Sequence, residues 1–232
     1  MRVNLYSINV PFTLILSFRM NPARGEERSL NMDSLPSGLI ISLTGLLYIA
    51  GFEALFFIRQ QGLSAQFAIE NLILTAVGAA IAFTAFTIHP ALFLAALYLL
   101  TMRVRLLIDI GNWLTRRRSY SKALAVYGFA LRLFPDRASQ RAVLINRGLA
   151  ELTMQKSEMA YRTLKEALSG GELRRGALYL AAGYYNLGIA CRRTGRDLEA
   201  VQCFNEAKSA MPNSIYAYAS ERALKESRSG KQ

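Results

Sequence analysis

The sequence predicts an all-α protein in which transmembrane helices lead into a short α-solenoid of about three helix pairs closed by a capping helix. Three observations predict this. Residues 39–102 are dominated by apolar runs of membrane-crossing length. Charge is divided unevenly: residues 1–102 hold five Arg and five acids, while the remainder holds 23 Lys and Arg against 11 Asp and Glu, so the whole net charge of +12 lies there. In that basic part, small and large apolar residues recur at fixed spacings, as closely crossing helix pairs require.

At 232 residues the chain has room for one large or two small units, and 52% hydrophobic content is high for a soluble domain. Residues 1–20 are apolar but interrupted by Asn4, Ser7, Asn9 and Pro11, which makes a poor spanning helix without a signal-peptide cleavage site. Residues 21–38 carry Asn-Pro and Leu-Pro-Ser-Gly turn elements, so 1–38 is expected to be irregular. Met32, just before the first strong apolar segment, is an alternative start.

The transmembrane region is expected over 39–106. Residues 39–58 are twenty residues with one charge, Glu53, enough to cross the hydrocarbon core. Glu53 falls near the end of this span, where a carboxyl reaches the headgroups or pairs with a neighbouring helix. A second apolar run, 67–88, starts with Glu70 and Asn71 and stops at His89-Pro90. Proline suits the first position of a new helix, so 90–106 reads as a third span, and His89 as a turn or cap residue. Only twelve apolar residues precede Arg103 and Arg105, which must then snorkel to the interface. A single Pro-kinked second span is the alternative, which leaves the count at two or three. Arg116, Arg117, Arg118 and Lys122 follow the last span and mark that side as cytoplasmic by the positive-inside rule.

The clearest repeat is 184–212, YYNLGIACRRTGRDLEAVQCFNEAKSAMP. Tyr184, Leu187, Gly188, Ala200, Phe204 and Pro212 keep the intervals of a W-x2-L-G-x2-Y, A-x3-F, P pattern, with Cys191 departing at its Tyr place. The stretch resembles a tetratricopeptide repeat, a helix-turn-helix unit of about 34 residues. Leu144, Gly148, Ala160, Leu164 and Ala167 repeat the spacing, with six residues inserted around 169–176. Ala123, Tyr127, Ala130 and Pro135 do so again. The first helix of that copy falls on Leu107, Gly111 and Leu114, so the helix leaving the membrane is expected to run on without a linker. The resemblance covers 107–227, with 215–227 as the polar-faced cap and 228–232 as a tail.

The resemblance implies that the first helix of each repeat lines a groove for an extended peptide or partner helix. Carried onto this sequence, the groove residues are Ile145, Asn146, Leu149 and Leu152, then Tyr185, Asn186, Ile189, Arg192 and Arg193. One subgroup of the family clamps a terminal carboxylate with Lys and Asn. Asn146 and Asn186 suit that role, but apolar Ile145, Leu149, Tyr185 and Ile189 do not. Hydrogen bonding between adjacent repeats is the other role for the two asparagines.

No nucleophile, base and orienting group cluster in the sequence, and His89 is the one histidine. Gly170-Gly171 with Arg174 and Arg175 lacks phosphate-loop spacing. Cys191 and Cys203 lack metal-ligand spacing and read as buried thiols, with a regulatory pair as the alternative. No cofactor or metal is expected. The dispersed arginines carry no recognised nucleic-acid fold, and the basic residues Arg103, Arg105 and Arg116 to Arg118 suit anionic lipid headgroups.

The expectation is therefore an integral membrane adaptor or scaffold without enzymatic activity, its repeats cytoplasmic, binding a protein partner at the membrane surface. The alternative is a structural subunit or assembly factor of a larger membrane complex, for which Gly45, Gly51, Gly78, Ala79 and Ala80 supply small contact residues. A transporter or enzyme rests only on Glu53, Glu70 and His89.

Overall fold

A computed structural model describes residues 35–58, 65–84, 88–169 and 177–229. Expectations for 1–34, the 59–64 link, residues 85–87, the 170–176 insertion with Gly170, Gly171, Arg174 and Arg175, and 230–232 lie outside these residues. The described residues form nine helices and no strand, which makes the chain all-helical.

Helices α1 (Ser37–Ile58), α2 (Ala65–Thr84) and α3 (Pro90–Arg116) are each long and apolar enough to cross a membrane. Their outward surface is apolar as well: Leu47, Phe83 and Leu92 are all mostly exposed. A soluble monomer rarely displays such a surface. Inside the three-helix bundle, Ile41, Tyr48, Ala79, Ala82, Phe93 and Leu97 form the core. The Ser37 hydroxyl donates to the Ala82 carbonyl at 2.8 Å, so α1 begins where α2 ends and the two run antiparallel.

The second apolar run does not continue as a kinked helix. Helix α2 is described over Ala65–Thr84, residues 88 and 89 lie in no helix, and His89 takes the N-cap position of α3. Its Nδ1 accepts the Ala91 N–H at 3.3 Å, while Pro90 opens the first turn, where a missing N–H costs nothing. The described helices therefore give three membrane-length segments rather than two.

The helix that leaves the apolar bundle runs on through residue 106 without a linker. Helix α3 is unbroken for 27 residues, about 40 Å at 1.5 Å per residue. Its first half belongs to the apolar bundle, and its second half pairs with α4 (Tyr120–Arg132). Helices α5 (Arg137–Thr153) and α6 (Ser157–Leu168) form the next pair, then α7 (Ala177–Arg193) and α8 (Asp197–Ala210). Helix α9 (Ile215–Ser229) lies on the last pair, mainly against α8. This sequential stacking is compatible with a solenoid-like arrangement.

The three pairs share one register. A β-carbon on Gly188 would meet Phe204 Cε1 at 2.6 Å, and one on Gly148 would meet Leu164 Cγ at 2.5 Å. Gly111 faces the Tyr127 ring in the same way. In each pair the partner follows the glycine by 16 residues: 111 to 127, 148 to 164, 188 to 204. The alanines four before and three after that partner are all buried. Small residues at these places let the helices cross closely, and the large partner fills the crossing.

Turns inside the pairs repeat too. Arg118, Gln155 and Gly195 have φ of 60°, 60° and 76°. The next residue in each case donates its N–H five residues back, Ser119 to Leu114 at 2.9 Å, Lys156 to Glu151 at 3.0 Å and Arg196 to Cys191 at 2.8 Å. These are Schellman-type closures of the first helix, and only the third uses the residue that adopts positive φ without strain.

Candidate functional site

The nine groove residues are mostly interior. Ile145, Asn146, Leu149, Leu152, Tyr185, Asn186 and Ile189 are all buried, Ile145 and Leu152 to 1% exposure. Helices α3 and α7 both close on α5, and Tyr179 packs against the cores on both sides. Apolar side chains expected to line a groove are thus repeat-to-repeat packing. Asn146 Nδ2 donates to Ala142 of its own helix at 2.8 Å, not to an adjacent repeat.

Arg192 and Arg193 remain accessible, but both are engaged. Arg192 Nη2 donates to the Ala223 carbonyl at 2.6 Å and its guanidinium lies 5.0 Å from the Phe204 ring, which clips α9 onto the last pair. Arg193 Nη1 donates to the Leu152 carbonyl at 2.8 Å, joining the third pair to the second.

A cleft of about 540 Å³ opens elsewhere, between α6 and α8 with α7 as its floor, lined among others by Lys165, Leu168, Tyr184, Gln202 and Glu206. Its rim is a polar network. Tyr161 donates to the Glu199 carboxylate at 3.1 Å, and Lys165 Nζ donates to the Tyr161 oxygen at 2.7 Å. Arg196 pairs with Glu158 through two bonds of 3.0 and 3.2 Å and stacks 4.2 Å from the Tyr161 ring. The Arg196 hydrogen bonds hold the Glu158 carboxyl below its usual range, and the bond to Tyr161 holds the Lys165 ammonium above its own. Sequence reasoning missed this surface because it looked for a site on the first helices of the pairs. The signal is a matched spacing: Glu158 to Arg196 and Tyr161 to Glu199 are both 38 residues apart.

A second polar node joins the bundle to the array. Arg103 Nη2 lies 2.9 Å from Glu70 Oε2, and Nη1 donates to the Leu100 carbonyl at 2.8 Å. Gln66 Nε2 donates to Glu70 at 2.8 Å and to the Phe134 carbonyl at 2.9 Å. The Leu133 carbonyl receives Arg103 Nη2 at 3.4 Å. Arg103 is therefore turned into the protein instead of snorkelling outward. Arg105 is half-buried, and Arg116, Arg117 and Arg118 are exposed, with Arg117 lying 4.1 Å from the Trp113 ring centre.

Glu151 is fully buried on α5 and its Oε1 accepts from Arg147 Nε at 3.0 Å. Cys191 and Cys203 are buried and free, and burial pushes their thiols up to about 11 and about 12. Reactive thiols are shifted in the opposite direction.

The fold and these surfaces define an all-helical chain whose three membrane-length helices continue, through α3, into a solenoid-like stack of helix pairs. No protein-family model, no curated protein and no solved structure matches it.

Proposed function

We propose that the chain is a membrane-anchored, tetratricopeptide-like adaptor that presents a protein-binding surface beside the bilayer. The observation that carries this reading is the unbroken α3, which belongs to both the apolar bundle and the first helix pair. A helix shared in this way fixes the array relative to the spans, an arrangement suited to holding a partner at the membrane. The glycine-to-partner register of the three pairs supports the tetratricopeptide likeness. Arg116 to Arg118 support a cytoplasmic array.

Because seven of the nine expected groove residues are buried and Arg192 and Arg193 are engaged with Ala223 and Leu152, the binding surface in this reading is the cleft between α6 and α8. Its open, mixed polar and apolar lining suits a peptide or helix with charges of both signs. The test is a photo-crosslinking side chain at Gln202, with the full chain in its native membrane. The adaptor reading expects one defined protein adduct, lost in Glu206→Lys at unchanged protein level. Absence of any adduct at Gln202 removes the cleft as the partner site.

One observation favours a second reading, a subunit or assembly factor of a membrane complex. Gly45 and Gly78 are consumed inside the bundle against Thr75 and Phe93, and Ala79 is buried there too, whereas Gly51 is exposed with nothing within 4 Å of an added β-carbon. An outward small residue on α1 suits a foreign span. Gly51→Leu separates the readings: it disrupts co-purification of a complex in the second and leaves the Gln202 adduct unchanged in the first.

A further inference from the structure

The exposed apolar face of α3 does not stop where the apolar bundle meets the array. Leu92, Leu99, Leu106, Ile110 and Trp113 are 71%, 58%, 41%, 47% and 49% exposed. At about 100° per residue they fall in one stripe roughly 60° wide. The stripe passes Arg103 without interruption, because that side chain is withdrawn to Glu70 and to the Leu100 and Leu133 carbonyls. Arg105 and Asp109 lie on its flank, about 110° and 70° from its centre. From Leu92 to Trp113 the stripe runs about 32 Å, close to the thickness of a hydrocarbon core.

A second apolar feature lies at the same level. Helix α4 packs on the second half of α3 and ends at Arg132, followed by Leu133 and Phe134, whose carbonyls receive Arg103 and Gln66. Gln66 is in the first turn of α2, so this tip sits beside the start of a membrane-length helix. Phe134 is 84% exposed, held with φ of 50°, and Phe129, five residues earlier on α4, is also exposed.

We propose that lipid covers this surface. The acyl layer of the leaflet on the array side receives the Leu106 and Ile110 stretch and the Phe134 tip, with Trp113 in the headgroup layer. The face is continuous with the outward apolar surface of the bundle, so this rests on reading α1 to α3 as spans. Charge fits the same placement: Arg117 stacks on Trp113, and exposed Arg116 and Arg118 stand one turn further out, where anionic headgroups attract them. Placed so, α3 is a span of ordinary length rather than a short one. The Glu70 and Arg103 pair lies inside it, about five residues from the start of α2, closed by Gln66 and two backbone carbonyls. The first helix pair is then seated in the bilayer surface.

Trp113 is the one tryptophan of the sequence, which makes it a probe already in place. The full chain is reconstituted in phosphatidylcholine vesicles containing lipids brominated at shallow or deep acyl positions. Trp113 is expected to lose most of its emission to the shallow quencher and little to aqueous acrylamide. A tryptophan moved to Phe134, in a Trp113→Phe background, is expected to respond more to the deeper quencher. Strong acrylamide quenching with no bromolipid response at both sites overturns the proposal. Protection from both quenchers also overturns it, since another protein surface then covers the face. Leu47→Trp on α1, again with Trp113→Phe, is the control: bromolipid quenching there with none at residues 113 and 134 sinks this inference alone, while none at residue 47 sinks the spanning reading.

Discussion

The Phe204 ring lies against Gly188 so closely that a β-carbon there would stand 2.6 Å from its Cε1. Gly188→Val is expected to destabilise the chain by about 1–3 kcal/mol, the usual range for overpacking. Phe204→Leu combined with it should recover part of the loss, although Phe204→Leu alone is destabilising. Denaturation in detergent, followed by circular dichroism, reads both effects. Equal losses with and without Phe204 would remove the crossing as their cause.

The left-handed turn residues give a prediction of opposite sign. Gln155 has φ of 60° at a place where Gly195 stands in the next pair. Gln155→Gly should stabilise by up to about 1 kcal/mol, since relief of left-handed strain outweighs the added unfolded-state entropy. Gly195→Ala should destabilise by about 1 kcal/mol. The same denaturation measurement compares the two, and a destabilising Gln155→Gly would contradict the shared turn geometry.

Arg147 Nε pairs with the buried Glu151 carboxylate at 3.0 Å. Removing it in Arg147→Met leaves a charge without compensation, which typically costs 3–5 kcal/mol. Arg147 keeps 36% side-chain exposure, so water already shares that work and about 2–3 kcal/mol is expected here. Arg147→Met with Glu151→Leu should be closer to the parent than Arg147→Met alone. A double variant as unstable as the single one would show that the charge is not the cause.

Burial raises Cys191 to about 11 and Cys203 to about 12. In the unfolded chain a thiol ionises near 8.5. The folded state therefore keeps its full contribution from these groups below about pH 8.5 and loses it as pH rises toward 11 and 12. Tyr127 and Tyr216, both raised to about 12 by burial, add to the loss above about pH 10. Melting temperature should fall steadily from pH 8.5 to 11, and less steeply in a Cys191→Ala, Cys203→Ala chain. At pH 8 the folded thiols should ignore a maleimide that labels both after denaturation.

Much of this architecture is legible locally. Apolar runs mark the first three helices, His89-Pro90 marks the start of α3, and the Gly188 to Phe204 spacing recurs in Gly148 to Leu164 and Gly111 to Tyr127. Burial of Ile145, Leu149, Tyr185 and Ile189 was not legible, because it depends on how tightly successive pairs curl over α5. The node at Arg103 escaped for a similar reason. Its partner Glu70 is 33 residues away and Gln66 reaches Phe134 across 68, separations that no helical period encodes. The rim of the α6 and α8 cleft is an intermediate case, visible only once a 38-residue offset is compared between helices.

On the proposed reading, α3 is one rigid helix shared by the apolar bundle and the array. Paired spin labels at Leu92 and Trp113, with the full chain in lipid, report on it through their distance distribution. One narrow population near 32 Å, plus the length of the label arms, is predicted for 21 residues of unbroken helix. A broad or two-peaked distribution, as a hinge between Arg103 and Leu107 would produce, would contradict it.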